Sequence, residues 1–200
     1  IKSSTTNPDY DSLRPYFGWR PTNIVKLTFQ NTTQYARMPT SATLQKHFKS
    51  PFPALNVQRR DEPVATDTVY SDVPAINNGS KVAQFFVGTK SLFTDAYGMK
   101  TDSQFVNTLE DHIRERGAMS KLVSDCAQVE LSKRVLDVLR ALCISSWHSE
   151  PHQHHQNPAE RGYQTTKHMT NTLLDRSGSP PSTWLLALLY ACFILNYTYC

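Results

Sequence analysis

Apolar residues fall into five short blocks bounded by turn residues, followed or separated by longer stretches with helical spacing. The blocks are residues 64–70, 81–88, 91–100, 122–124 and 143–148, rich in the β-branched and aromatic side chains that fit a pleated surface. Gly88-Thr89-Lys90 reads as the turn between the second and third blocks, and Asn78-Gly79 sits in a loop at 73–80. Residues 102–116 carry Phe105, Val106, Leu109 and Ile113 on one helical stripe, with Glu110 and Arg114 spaced as an i, i+4 pair and Gly117 as the stop. Residues 129–142 place Leu131, Val135, Val138, Leu139 and Leu142 on one face. Residues 160–176 form a third helix, ended by Gly178 and Pro180-Pro181, and 183–195 a last helix that is apolar nearly all round. The order is βββ-α-β-α-β-α and a further helix. Three sequential strands with short turns form an antiparallel meander, and two strands each preceded by a helix add in parallel. The predicted fold is therefore α/β, a mixed five-stranded sheet with helices on both faces.

Residues 1–63 have weak periodicity and read as a basic, mostly irregular arm and linker ahead of a core at 64–200. A helix is predicted over 22–35, with Ile24, Val25, Leu27 and Phe29 apolar. The aromatic cluster Leu13-Arg14-Pro15-Tyr16-Phe17-Gly18-Trp19 reads as a latch against the core in preference to a base-stacking surface. Residues 46–60 are basic and broken by Pro51 and Pro53. An all-apolar helix has to be buried in the fold or at a subunit contact, so a homo-oligomer is expected. Its uninterrupted apolar run, 184–195, is too short to cross a bilayer, and no membrane partner is expected.

Composition adds to this picture. The chain has 200 residues and 39% hydrophobic content, enough for one domain with an extension. Residues 1–60 carry nine Lys/Arg and two Asp/Glu, residues 61–125 six and ten, and residues 126–200 six and five. A basic arm ahead of an acid-rich core suits a polyanionic partner plus a metal site, and equally a solvated tail. Cys126, Cys143, Cys192 and Cys200 have neither C-x-x-C nor zinc-ligand spacing and read as reduced thiols of an intracellular protein, nuclear or cytoplasmic. The chain opens on Ile1 and ends on Cys200, and reads as a piece of a longer polyprotein.

Three acids stand out. Asp67 lies in the middle of the first strand, where propensity disfavours it and burial makes it costly. Asp125 ends the short run Lys121-Leu122-Val123-Ser124. Glu160 follows Asn157, a good N-cap, and Pro158, a good first helical residue. Alone, Glu160 reads most simply as the acid of a capping box. Together, a mid-strand, a strand-end and a helix-start acid could converge on a cation. Asp72 is the alternative first acid, less favoured because it adjoins the Pro74 loop, and Asp95 reads as a solvent-facing or turn acid. His152, His154 and His155 read as solvated loop residues or DNA-backbone contacts, and His148 and His168 as structural.

Asp67, Ser124-Asp125 and Gln156-Asn157-Pro158-Ala159-Glu160-Arg161 resemble the acidic triad of the retroviral-type (DDE) integrase core of the ribonuclease-H-like superfamily. The QN-x-A-E-R form, with Trp184, Ala187, Ala191 and Asn196 downstream, looks most like Copia-type retrotransposon integrases. The resemblance covers roughly residues 61–198. It implies a ribonuclease-H-like sheet whose central first strand adjoins the fourth, putting Asp67 beside Asp125. It further implies trimming of element DNA 3′ ends and their joining to target DNA. Asp67, Asp125 and Glu160 would hold Mg²⁺ or Mn²⁺, with two ions expected. Gln164 and Lys167 share a helix face with Glu160 and are expected to contact DNA, as is Gln156 in the preceding loop. The partner is then double-stranded DNA, from element ends and target. Residues 1–63 contain one His and no Cys, which departs from the His/Cys zinc module usual ahead of such cores. A catalytically inactive, domesticated DNA-binding or self-associating copy and a ribonuclease-H-type nuclease are the alternative readings.

Overall fold

The structure is a computed structural model and describes residues 8–31, 51–124, 132–148 and 158–198. Five strands form one sheet: β1 Pro63–Tyr70, β2 Val82–Gly88, β3 Thr94–Met99, β4 Lys121–Ser124 and β5 Ser145–His148. Their spatial order is β3-β2-β1-β4-β5. β1 pairs antiparallel with β2 and β2 with β3, while β4 joins β1 in parallel and β5 joins β4 in parallel. This is the predicted mixed sheet, with β1 central. The third strand is shorter than 91–100 because the turn takes Ser91–Phe93: the Gly88 amide donates to the Phe93 carbonyl at 2.9 Å, and Leu92 adopts φ 56°. The fifth is shorter than 143–148 because Cys143 is left-handed at φ 52°.

Helices cover both faces. α1 Thr22–Asn31 falls within the predicted 22–35, whose last residues lie outside the described ones. α2 Phe105–Arg116 follows a short 3₁₀ turn, and α3 Lys133–Ala141 begins behind Ser132, whose hydroxyl accepts from the Val135 amide. The predicted start of α3 at 129 lies outside the described residues. α4 spans Pro158–Ser177 and α5 Trp184–Tyr197.

Alternation along each strand divides the core in two. Val64, Phe86, Met99 and Leu122 meet α2 and α3 through Phe105, Leu109, Ile113, Val135 and Leu139. Ala65, Phe85, Val87, Ala96 and Val123 meet α4 and α5 through Ala159, Trp184, Leu185, Leu188 and Cys192. The fold buries α5 on one side only, and Leu186, Leu189, Tyr190, Phe193 and Tyr197 are exposed; of the two expected places of burial, the fold accounts for one face of the helix. Its start is tied to the loop after β1 and its end to β3. Trp184 Nε1 donates to the Val73 carbonyl at 2.8 Å. The Asn196 amide accepts from the Thr94 N–H at 2.8 Å and donates to the Thr94 carbonyl at 2.7 Å. Among the described residues, no helix is long and apolar enough to cross a membrane.

The aromatic cluster near the N-terminus acts as a latch. Phe17 and Tyr10 pack on Phe29 at 5.9 and 5.8 Å. The Tyr190 hydroxyl donates to the Tyr16 carbonyl at 3.0 Å, and Arg176 lies 4.7 Å over the Trp19 ring. This segment docks on α4 and α5.

Two charges sit differently from expectation. Asp95 is no solvent acid. On the α2 side of β3 it takes a bidentate pair from Arg116 at 2.9 and 2.8 Å. His112 lies against it, with Nδ1 3.5 Å from the carboxylate and the ring stacked on Phe86 at 4.5 Å. Arg114 pairs with Asp111 at 3.1 Å, one residue nearer than Glu110.

Candidate functional site

β1 carries Asp67 on the face that meets α4. Its neighbours on that face, Ala65 and Val69, are buried, whereas Asp67 is half-buried. Its Oδ1 accepts from the Thr68 amide at 2.8 Å. Asp67 pairs across the ladder with Phe85, whose ring meets Tyr163 of α4 edge-on at 5.9 Å. The helix packs on the sheet here, and a Cβ on Gly162 would stand in ordinary contact with Val87 at 3.5 Å and Phe85 at 3.6 Å. Burial raises the pKa of the Tyr163 phenol first, and the Asp67 charge raises it further. Asp67 is thus brought under the first turns of α4.

Glu160 lies in the first turn of α4, next to the fully buried Ala159 and one turn before Tyr163. Gln164 and Lys167, four and seven residues on, are exposed on the same helix. The amide dipoles of an N-terminal helical turn favour a carboxylate or phosphate there.

β4 runs beside β1, with Ala65 opposite Val123. Its last residue, Ser124, is buried and hydrogen-bonded to His148 Nδ1 at 2.9 Å, which gives His148 the structural place expected of it. His168, in contrast, is exposed on α4. Asp125 follows Ser124 directly in the chain, and it and Gln156 lie outside the described residues. Asp72 is exposed, two residues past the end of β1, and Asp95 belongs to the opposite face of the sheet. Among the described residues, no group of three or more His, Cys, Asp and Glu forms a metal-binding cluster.

Sequence reasoning passed over Tyr163 and Gly162. The signal for them was Gly162-Tyr163 one helical turn after an acid, a small residue and an aromatic aimed at the sheet.

No protein-family model matches the chain, and no curated protein matches it by sequence. Solved structures do. The chain is similar to a chain of the simian T-cell lymphotropic virus intasome, solved by cryo-EM in complex with PP2A regulatory subunit B56 gamma. The identity is 18% and the TM-score 0.52, over 66% of this chain and 48% of that one. The chain therefore spans about half the length of that relative. It is also similar to the HTLV-2 integrase catalytic core domain in complex with magnesium, in its dimeric form, at 16% identity and TM-score 0.50, over 65% of this chain and 83% of that one. The trimeric form of that domain matches with the same 16% and 0.50. The fold is ribonuclease-H-like, of the kind built by retroviral integrase catalytic cores.

Proposed function

We propose that the chain is the catalytic core of a retrotransposon integrase, most like the Copia type: a polynucleotidyl transferase that trims the 3′ ends of element DNA and joins them to target DNA. The observation that carries this reading is the pairing of Asp67 with Phe85, whose ring meets Tyr163 in the first turns of α4, the helix that bears Glu160. The pairing of β1 with β4 supports it, since Asp125 follows β4 in the chain and the ladder between the two strands runs to Ala65, two residues before Asp67.

The donor set fits a divalent metal. Asp67, Asp125 and Glu160 offer only carboxylate oxygens, the hard ligands that Mg²⁺ and Mn²⁺ prefer. Without a cation, acids gathered at the end of a sheet would repel one another. Two bound ions would supply charge neutralisation at the scissile phosphate and a more acidic nucleophile. The chain's own residues do the rest. The rigid sheet holds Asp67, so its oxygens are pre-set and cost no reorganisation. Lys167 presents a cation to a phosphate of the DNA end, and Gln164 an amide donor, from the exposed side of α4. Gln156, outside the described residues, is the third proposed DNA contact. Double-stranded DNA and further copies of the chain are the partners, inside the cell.

The test is an oligonucleotide joining assay with the full 200-residue chain. With Mn²⁺, a recessed element-end duplex should be joined to a second duplex, and EDTA should abolish the product. Cleavage of an RNA–DNA hybrid without joining would instead support a ribonuclease-H-type nuclease. DNA binding with no metal-dependent chemistry would support an inactive copy.

A further inference from the structure

β5 is the outermost strand on the β4 side of the sheet, and it carries an aromatic ring that the core does not use. β1, β4 and β5 run parallel, so their carboxyl ends share one rim, the place where open α/β sheets ordinarily bind ligands. Ala65, Val123 and Trp147 pair in one row across these three strands and so point to one face, the face that meets α4. Asp67 follows Ala65 by two residues on that face, and Asp125 follows Val123 by two in the chain. With strands about 4.8 Å apart and about 3.3 Å per residue, the Cα of Trp147 lies about 12 Å from that of Asp67. That is roughly three to four stacked nucleotides, at about 3.4 Å each.

The chain has three tryptophans, and two of them are occupied. Trp184 is buried and donates to the Val73 carbonyl, and Trp19 is half-buried under Arg176. Trp147 is 40% exposed and belongs to no core cluster. Its indole has no hydrogen bond or ring contact among the described residues. Val123, its neighbour in the row, shares a buried cluster with Ala159 of the first turn of α4, whereas Trp147 lies outside that cluster. A lone exposed aromatic is ordinary. This one stands on the rim and the face of the acids, on a strand whose other members Ser145 and Ser146 are also exposed.

We infer that Trp147 is a DNA contact whose indole stacks on an unpaired base of the DNA end. The inference rests on the integrase reading and adds to it a residue for the strand that is not joined. Trimming one strand at its 3′ end leaves unpaired bases on the complement. Such bases expose the ring faces that the interior of a duplex hides, a few nucleotides from the reacting phosphate. An indole stacks on any of them and reads no sequence. The division of labour is then chemical: Lys167 and Gln164 of α4 serve phosphates, and Trp147 serves a base.

The experiment measures binding of the full chain, in Mn²⁺, to a recessed duplex ending in a 3′-dideoxynucleotide, which has no hydroxyl to join. One version carries a short 5′ overhang of adenines, the other the same overhang without bases. The parent should bind the first about tenfold more tightly, equivalent to about 1.4 kcal/mol. Trp147→Ala should bind the two equally, and Trp147→Tyr should restore part of the preference. Adenines in the overhang should quench indole emission in the parent and not in Trp147→Phe, a readout that stands even where Trp147→Ala fails to fold. A parent with no preference, a preference kept by Trp147→Ala, or emission quenched equally in Trp147→Phe would overturn the inference. So would a Trp147→Ala variant that weakens both duplexes by the same factor. Joining assayed in parallel with an ordinary 3′ end keeps the two readings apart. A parent that joins DNA without the preference loses the stacking contact and keeps the integrase reading, while a preference without joining keeps the contact on a chain that only binds DNA.

Discussion

Asp67→Asn and Asp125→Asn should each reduce metal-dependent DNA joining by about a thousandfold or more, roughly 4 kcal/mol of transition-state stabilisation. The substitution removes a charge and one anionic oxygen, and a divalent ion loses far more by that than does the fold. At position 67 the substitution is nearly isosteric. Asn retains an oxygen for the Thr68 amide, has the same shape and sits in the same half-buried place beside Phe85 and Tyr163. The thermal midpoint of Asp67→Asn should therefore stay within a few degrees of the parent. Joining, measured with Mn²⁺ and a labelled duplex, separates the two effects. Asp72→Asn is the control: its side chain is exposed beyond the end of β1, and joining should persist. Activity kept by Asp67→Asn and lost by Asp72→Asn would move the first acid to the alternative position.

The second large effect concerns stability in acid. His112 is 2% exposed, with neither ring nitrogen hydrogen-bonded among the described residues. Burial pushes its pKa down from 6.5 to about 4, although the Asp95 carboxylate pulls it upward, and Arg60 and Arg116 push it down further. The folded protein thus prefers the neutral ring, while the unfolded chain takes up a proton near pH 6.5. The stability that neutral His112 contributes is complete above that value and is lost as pH falls toward about 4. The loss should approach about 3 kcal/mol, a large share of a domain's total. Urea unfolding at pH 7.5, 6.0 and 5.0 measures it. His112→Phe keeps a ring stacked on Phe86 and should flatten this part of the curve. A parent and variant with parallel pH profiles would contradict the assignment.

Much of the sheet was legible because its chemistry is local. Five apolar blocks, each the length of a strand, and a turn at Gly88-Thr89-Lys90 are enough to order a meander followed by two crossovers. What escaped was set by partners distant in the chain. Asp95 looks like a turn acid until Arg116, 21 residues on, closes on it. Glu110 and Arg114 have the right helical spacing, but Asp111 takes the pair. α5 carries almost no polar residue to mark its outer side. Which side is buried depends on where β3 and α4 lie, and periodicity holds no trace of that. The latch joins Tyr16 to Tyr190 across 174 residues. At the site, Asp67 was legible as a polar residue misplaced in an apolar strand. Its approach to α4 was not, since it depends on Phe85, Gly162 and Tyr163 coming together.

The most direct measurement is anomalous diffraction from crystals of the full chain soaked in Mn²⁺. The proposed site predicts an ion within about 2.5 Å of oxygens from both Asp67 and Glu160, with Asp125 completing its shell. Ions found only elsewhere, or carboxylates of Asp67 and Glu160 that share no ion, would contradict it.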